Sequence, residues 1–302
     1  MPTFDTHEPI FVTVELGVGH IQIEASDRAD TVVEVAPSDG SDPSDVAAAE
    51  QAHVEYAGGR LVIRAPRGWR RWTPRGGGES IDVHIQLPAG SHVQVTAGIA
   101  ALRCSGRLGE CRYKTGIGDI RVEQAGPMEL KTGKSDVDVG KVVGHAEVAT
   151  GSGSARIASI EGTAAIKNSN GDIWIGEVTG DLRAVAANGK IVVDRAHAAV
   201  TAKTANGGIR LGEVARGAVL AETAWGQVEV GILDGVAAWL DLNTGFGNVE
   251  NELVADERPE SGEETVEVRA RTAFGDITIR RCRGGRRVAS DEGSDHAGRD
   301  VA

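Results

Sequence analysis

Hydrophobic and polar residues alternate with a period of two along most of this 302-residue chain. In the first segment, for example, Ile10, Val12 and Val14 would share one face. A period of two is the signature of β-strands, so the pattern predicts an all-β protein. One stretch departs from it: Ser44 and Asp45 are placed to cap a short helix through residues 46–51.

From about Ala97 onward, a short phrase recurs, and its clearest copy is Thr-Gly-Ile-Gly-Asp-Ile-Arg-Val at residues 115–122. The fourth residues of successive copies are separated by 18, 17, 18, 18, 18, 18, 19, 21 and 28 residues. A β-forming residue follows two positions later in each copy, and apolar pairs precede the turn. Each unit is therefore predicted to be a strand, a tight glycine turn, a second strand and a bend. The fourth residues are Ala100, Gly118, Ser135, Gly153, Gly171, Gly189, Gly207, Gly226, Gly247 and Gly275.

A unit of this size cannot bury an apolar face alone, whereas units stacked in register form a continuous core. The repeat therefore predicts a parallel β-solenoid of about ten coils with an 18-residue period, wound right-handed as crossover connections are by default. Residues 1–95 are predicted to form a strand-rich N-terminal cap and residues 96–280 the solenoid. Residues 281–302 are basic and then polar, with few apolar residues, which favours a disordered tail.

Stacking in register also aligns side chains of successive coils. Asn170, Asn188 and Asn206 are predicted to form a hydrogen-bonded ladder. The same position then carries aromatic residues, which would form a short stack along one edge. With the outward-facing Trp174, these residues are predicted to mark an interaction surface, although partial cover by neighbouring side chains is the simpler alternative. This predicted aromatic edge consists of Trp174, Trp225, Phe246 and Phe274. Recurring Thr residues, among them Thr115 and Thr204, are predicted to occupy outward or turn positions.

A basic loop stands out in a chain with a formal net charge of −12. The acidic balance argues against a stable nucleic-acid complex for the body of the protein. Within the loop, however, Arg side chains would pair with phosphates and Trp side chains would stack on bases or lie at a lipid interface. The alternative is a solvated loop that neutralises the acidic body. The candidate binding residues are Arg67, Trp69, Arg70, Arg71, Trp72 and Arg75.

The Gly-Asp turns raise the possibility of a calcium site, because Asp119, Asp136, Asp172 and Asp276 occupy equivalent positions. Lys190 in the same column would repel a cation, and local turn hydrogen bonds explain the Asp residues without a metal. A polysaccharide hydrolase or lyase would need paired carboxylates, and Asp119 and Asp136 could lie one coil apart, but no third group converges on them. The eight His residues lack metal-ligand spacing, so the sequence predicts no metal, no cofactor and no enzymatic activity.

Three Cys residues give neither a zinc pattern nor a paired disulfide framework. Cys104 and Cys111 are near in sequence and would pair in an oxidising compartment, but free thiols are favoured. The N-terminus has no basic and apolar leader pattern, and no stretch approaches the length of a membrane span. The expected localisation is therefore cytoplasmic, with peripheral association with the envelope left open.

Several phrases resemble the DUF4097 family of bacterial β-strand-repeat proteins, which carries the label adhesin by analogy with repetitive surface proteins. The matching stretches are Leu-Pro-Ala-Gly at 87–90, the Thr-Gly-x-Gly-Asp-Ile turns, Asn-Ser-Asn-Gly-Asp at 168–172, Gly-Val-Ala-Ala-Trp-Leu at 235–240 and Arg-Thr-Ala-Phe-Gly-Asp-Ile at 271–277. The resemblance extends to about residue 280. It implies a β-solenoid and an adhesin-like role, and it transfers no catalytic residue.

Together these patterns predict a non-enzymatic scaffold that presents a repetitive surface to a protein, a glycan or an envelope polymer. The alternative is a regulatory module that binds anionic lipid or nucleic acid through residues 67–75. A carbohydrate-active β-helix enzyme is the third possibility. The chain is expected to be a monomer or a small homo-oligomer.

Overall fold

The computed structural model describes residues 2–65, 79–253 and 265–282, and within them the chain is built from 25 strands and one helix. The predicted all-β fold is confirmed. The N-terminal elements are β1 (Thr3–Asp5), β2 (Phe11–Ser26), β3 (Asp30–Pro37), α1 (Pro43–Glu50), β4 (His53–Ala57), β5 (Arg60–Arg64), β6 (Ser80–Pro88) and β7 (His92–Arg107). The regular repeats are β8 (Cys111–Ile117), β9 (Ile120–Ala125), β10 (Met128–Lys134), β11 (Val137–Val143), β12 (Ala146–Ser152), β13 (Ala155–Glu161), β14 (Ala164–Asn170), β15 (Ile173–Val178), β16 (Leu182–Asn188), β17 (Ile191–Ala196), β18 (Val200–Asn206) and β19 (Ile209–Val214). The last elements are β20 (Gly217–Trp225), β21 (Val228–Leu233), β22 (Ala237–Phe246), β23 (Val249–Asn251), β24 (Thr265–Phe274) and β25 (Ile277–Cys282).

The strands stack as a parallel solenoid-like coil, as the repeat predicts. Even-numbered strands from β8 to β20 pair in parallel with one another and form a first ladder, while odd-numbered strands from β9 to β21 form a second ladder. The long strand β7 precedes both ladders, since it pairs with β8 and with β9. The register is that of the repeat: Leu130 lies opposite Val148, and Val148 opposite Ile166. Each coil is thus one strand of each ladder, joined by the glycine corner.

The core lies between the two ladders, because alternate side chains of every strand point inward. Val139, Val148, Ile157, Ile166 and Ile175 are all fully buried. By the area rule, each such side chain stabilises the fold by about 1.5–3 kcal/mol.

The recurring Thr residues belong to this interior, so their assignment to outward or turn positions is wrong. Thr115, Thr204 and Thr223 are buried. The hydroxyl groups of Thr204 and Thr223 donate to the carbonyl oxygens of Gly189 and Gly207 in the preceding coil, at 3.1 and 2.9 Å. A hydroxyl with such a partner is tolerated in a core, which explains how a polar side chain can recur at this inward position.

The glycine corner requires glycine because the backbones of successive coils approach closely there. At Gly189 the φ angle is +145°, and a Cβ would lie 2.1 Å from the carbonyl oxygen of Gly171. At Gly207 the same distance to the carbonyl oxygen of Gly189 would be 2.1 Å. No side chain fits at either position, so the glycine column is a consequence of coil-to-coil contact and not a ligand-binding loop.

The last two coils are stacked out of sequence order. β24 pairs with β20 on one side and with β22 on the other, and β25 lies in the same way between β21 and β23. The final coil of the chain is therefore inserted inside the stack, and the coil β22–β23 is outermost among the described residues. The insertion that precedes β24 in the sequence, residues 254–264, lies outside the described residues.

The N-terminal end is interleaved in the same manner. β2 pairs in parallel with β7 on one side, and with β5 and β6 on the other. β4 and β3 then pair antiparallel with β5 and β6 and cover this end. The parallel stack therefore begins at Phe11, and the domain boundary expected at residue 95 falls inside β7.

Two local boundaries differ from those predicted. α1 begins at Pro43 because Asp42, not Ser44 or Asp45, is the N-cap: its side chain accepts the backbone N–H of Ser44 at 2.8 Å. At the other end β25 continues through Cys282, since Arg281 donates to the carbonyl oxygens of Leu233 and Val236. The strand thus extends two residues into the segment predicted to be a disordered tail; residues 283–302 lie outside the described residues.

Candidate functional site

One column of side chains runs along the glycine corner of the stack, and we call it the corner ridge. Each member lies in register with the next, and every member except Ile99, which lies inside β7, is the last residue of its strand. From the N-terminal side it consists of Ile99, Ile117, Lys134, Ser152, Asn170, Asn188, Asn206, Trp225, Phe274 and Phe246. Most of these side chains are exposed, so they are available to a partner.

The middle of the corner ridge is a ladder of asparagine amides. Asn206 donates to the side-chain oxygen of Asn188 at 2.8 Å, and Asn188 donates to that of Asn170 at 2.9 Å. Each amide thus has a fixed orientation, and the three exposed amides repeat with the spacing of the coils, about 4.8 Å. The predicted Asn ladder is present.

The C-terminal part of the corner ridge is a stack of three aromatic rings. The rings of Trp225 and Phe274 lie 4.1 Å apart between centroids with an interplanar angle of 12°, and those of Phe274 and Phe246 lie 4.9 Å apart with an angle of 5°. Trp225 is 57% exposed, Phe274 37% and Phe246 70%. The rings stabilise each other by about 0.5–1.5 kcal/mol per pair, yet leave a large apolar edge in water.

The order of the stack is not the order of the sequence. Phe274 lies between Trp225 and Phe246 because β24 is inserted between β20 and β22. Two features of the sequence mark the coils in which this insertion occurs. The repeat step lengthens to 28 before Gly275, and Asn251 occupies a position where the other coils have a β-forming or small apolar residue. Asn251 is tolerated because it belongs to the outermost coil, where it is exposed.

Trp174 is not part of the aromatic stack, so the predicted edge of four residues has three. Trp174 lies on the outward face of β15 in the second ladder, in register with Arg156 and Val192, and is only half-exposed. Its alternation with the buried Ile173 and Ile175 places it outward, as expected, but on another side of the coil.

Sequence reasoning missed Trp239 as an exposed aromatic. It lies on the outermost strand β22, is 57% exposed, and has the guanidinium of Arg269 5.9 Å from its ring centroid. Trp239 faces outward because its neighbours Ala238 and Leu240 lie opposite the buried Val266 and Val268. The alternation of Leu240 and Leu242 was the signal in the sequence that could have placed it there.

The Asp residues of the repeated phrase have a structural role between coils. Oδ1 of Asp172 accepts the backbone N–H of Lys190 at 2.7 Å, and Oδ1 of Asp276 accepts that of Asn248 at 2.8 Å. The bonds reach to the next coil in space and are not the local turn bonds expected. Oδ1 of Asp119 accepts the N–H of Asp136 in the same way, at 3.1 Å. Within the described part of the chain, no group of three or more His, Cys, Asp and Glu side chains could hold a metal ion.

Asp136 gives a pH-dependent prediction. Its carboxylate accepts the backbone N–H and the hydroxyl of Ser154 at 2.7 and 2.8 Å, and these bonds lower the pKa of Asp136, with a smaller effect of Arg156. Because the pKa is lower in the folded chain, this stabilisation is present above the unfolded value of 3.8 and is lost as pH falls through the folded pKa. Asp136→Asn is expected to be less stable than the wild type at neutral pH, with the difference disappearing in acid.

Urea titrations at pH 7 and in steps down to about pH 2.5 measure this difference across the range in which an Asp titrates. Asp194→Asn, which removes the same charge from another exposed position of the stack, is the control. A stability difference for Asp136→Asn that is independent of pH contradicts the prediction.

The thiols give a prediction about reactivity. Cys104 and Cys111 are buried and unpaired in the core, and burial raises the pKa of Cys104 strongly and that of Cys111 to about 12. Cys282 is partly exposed, and burial raises its pKa to a smaller extent. Since the thiolate is the reactive form, only Cys282 should react with a thiol reagent in the native protein, and all three should react after unfolding. Recovery of a single thiol after unfolding without reductant would instead indicate a Cys104–Cys111 disulfide.

The basic loop predicted to bind anionic lipid or nucleic acid lies outside the described residues, so Arg67, Trp69, Arg70, Arg71, Trp72 and Arg75 remain a prediction from the sequence. Across the ranges that the structure describes, no helix is both long and apolar enough to cross a membrane.

A parallel β-solenoid with interleaved end coils and an exposed corner ridge defines a class of repetitive β-proteins. The family model for Toastrack DUF4097 matches residues 8–280, and the chain belongs to this family, as its motifs indicate. A comparison with curated proteins finds no match.

Two solved structures are similar at 12% sequence identity. One is a candidate cell adhesion protein from Clostridium sporogenes, aligned over 93% of this chain and 98% of that chain with a TM-score of 0.23. The other is a candidate adhesin from Bacteroides fragilis, aligned over 93% of this chain and 96% of that chain with a TM-score of 0.29. At these scores the two structures carry no argument about function.

Proposed function

We propose that this protein is a non-enzymatic binding scaffold, and that the corner ridge is the surface that contacts its partner, a protein, a glycan or an envelope polymer. The observation that supports this most is the exposed stack of Trp225, Phe274 and Phe246, continued by the hydrogen-bonded ladder of Asn206, Asn188 and Asn170. Aromatic edges supply apolar contact area, and the amides supply oriented hydrogen-bond groups, which is the usual composition of a binding surface.

The rigidity of the scaffold also supports a binding role. Each ridge residue belongs to a strand that is paired on both sides, except Phe246 on the outermost strand. Side chains held in this way lose little conformational entropy when a partner binds, so the ridge is preorganised. Identical amides repeated once per coil suit an extended partner that lies along the stack.

The absence of enzymatic activity is part of the proposal. The neighbouring carboxylates Asp119 and Asp136 are occupied by backbone N–H groups of successive coils, which gives them a structural role. The cytoplasmic localisation expected from the sequence also remains a prediction.

The proposal is tested by replacing the two most exposed rings of the stack with small polar residues. Trp225→Ser/Phe246→Ser is expected to reduce co-sedimentation of the protein with protein-free bacterial cell walls by about tenfold, since exposed aromatic residues are typical interface hot spots. Thermal unfolding of the variant checks that the coil itself is intact.

Phe11→Ser is the matched control, because Phe11 is 51% exposed and lies at the opposite end of the stack. It should leave co-sedimentation unchanged. Equal loss in the control and in the ridge variant, or unchanged sedimentation in both, contradicts a binding role for the ridge.

A further inference from the structure

A basic groove runs beside the corner ridge on the outward face of the first ladder. It is a shallow depression of about 590 Å³, lined by Lys114, Lys131 and Lys167 and floored by small residues such as Ala149 and Val185. None of its lining residues is acidic, although the chain carries 44 Asp and Glu residues against 32 Lys and Arg. The groove is thus a locally basic surface on a protein with a negative net charge.

The lysines lie in single file along the axis of the stack. Lys114 is in register with Lys131, and Lys131 is followed by Ala149 and then Lys167. Beyond Val185 the same file continues to Lys203. With a spacing of about 4.8 Å per coil, the lysine positions recur at intervals of about 5 or 10 Å along the stack.

Two of the four lysines already have carboxylate partners, and two do not. Lys131 is 2.5 Å from a carboxylate oxygen of Glu129, and Lys203 is 2.6 Å from one of Glu222. Lys114 and Lys167 are exposed and form no ion pair with any other described residue. These two therefore supply the uncompensated positive charge of the groove.

We propose that this groove binds a linear acidic polysaccharide, laid along the stack with its carboxylates against the lysines and its sugar rings on Ala149 and Val185. This inference rests on the proposed binding function and names a class of partner for it. A single extended chain matches a single file of cations, whereas the phosphates of a duplex wind around an axis. No aromatic residue lines the groove, so it offers no stacking platform for single-stranded nucleic acid.

The test uses the full-length protein and polygalacturonate, a linear polycarboxylate, as the probe. Lys114→Ser/Lys167→Ser removes the two unpaired charges of the groove. Arg107→Ser/Lys190→Ser removes two exposed positive charges outside the groove, which likewise form no ion pair with another described residue, and is the matched control. Binding is measured by equilibrium titration at about 50 mM and 300 mM NaCl, because contacts between exposed charges are screened by salt.

The wild type is expected to bind at low salt and to lose affinity at high salt. The groove variant should bind about tenfold more weakly, and the control should stay within about twofold of the wild type, as expected when only local charges contact the polymer. The proposal is overturned if the wild type does not bind at low salt or if both variants weaken equally. Tighter groove-dependent binding to oligo(dT) or to phosphatidylserine vesicles would also overturn it.

The ridge variant Trp225→Ser/Phe246→Ser separates this inference from the proposed function. If it keeps its affinity for polygalacturonate while losing cell-wall binding, the two surfaces act independently and both proposals stand. If polygalacturonate fails to bind but cell-wall binding still depends on the ridge, the groove assignment fails and the proposed function stands. If groove-dependent binding is seen and the ridge variant sediments like the wild type, the proposed function fails instead.

Discussion

A chain truncated after Leu253 is expected to lose far more stability than the removal of one end repeat would cost. In a solenoid stacked in sequence order, deleting the final coil removes only one terminal interface. Here the deleted coil β24–β25 lies between β20–β21 and β22–β23, so both of its interfaces disappear and β22–β23 is left without a paired neighbour.

The buried side chains lost with this coil set the size of the effect. They are Val266, Val268, Ala270, Ile277 and Ile279. Their burial stabilises the fold by several kcal/mol, so the melting temperature should fall by roughly 10 °C or more. A chain ending at Cys282, which keeps all described strands, is the control and should melt close to the full-length protein. Similar melting of the two truncated chains would indicate that β24–β25 is an ordinary end coil.

Gly19→Ala is expected to cause the largest loss of stability among single substitutions at the corners. Gly19 has a φ of +151°, and a Cβ there would lie 1.8 Å from the carbonyl oxygen of Ile81 in the adjacent coil. The strained backbone and the clash together should cost about 3 kcal/mol or more.

Gly17→Ala, two residues away in the same strand, provides the comparison. A Cβ at Gly17 meets no atom within 4 Å, so the substitution should change stability by about 0.5 kcal/mol or less. Urea denaturation of both variants measures the difference. Equal effects of the two substitutions would show that close packing of the coils does not explain the glycine column.

The body of the fold could be predicted because its rules are local and repeated. The period of two identified the strands, and the 18-residue step fixed the register in which Asn170, Asn188 and Asn206 meet. The glycine turns gave the corner. Each of these features depends only on the contact between two adjacent coils. Throughout the middle of the chain, coils that are adjacent in space are also consecutive in sequence.

The arrangement of the two ends could not be predicted, because there a coil's neighbour in space is not its neighbour in sequence. The 28-residue step before Gly275 marks the C-terminal coils as irregular, but it does not specify that β24 lies between β20 and β22. The repeat likewise does not specify that β2 lies between β7 and the coil formed by β5 and β6. The order of the aromatic rings follows from the first of these arrangements. The basic groove was also missed, since Lys114, Lys131 and Lys167 are unremarkable in sequence and form a file only when alternate outward positions are read down the stack.

Radical footprinting with and without solubilised bacterial cell-wall fragments tests the binding role of the corner ridge most directly. Radical oxidation reports the solvent exposure of individual aromatic side chains, and Trp225 and Phe246 are well exposed in the free protein. The proposed function predicts that both become protected when fragments bind, while Trp239 and Phe11, which are exposed elsewhere, do not change. Unchanged oxidation of Trp225 and Phe246 in the presence of bound fragments would contradict it.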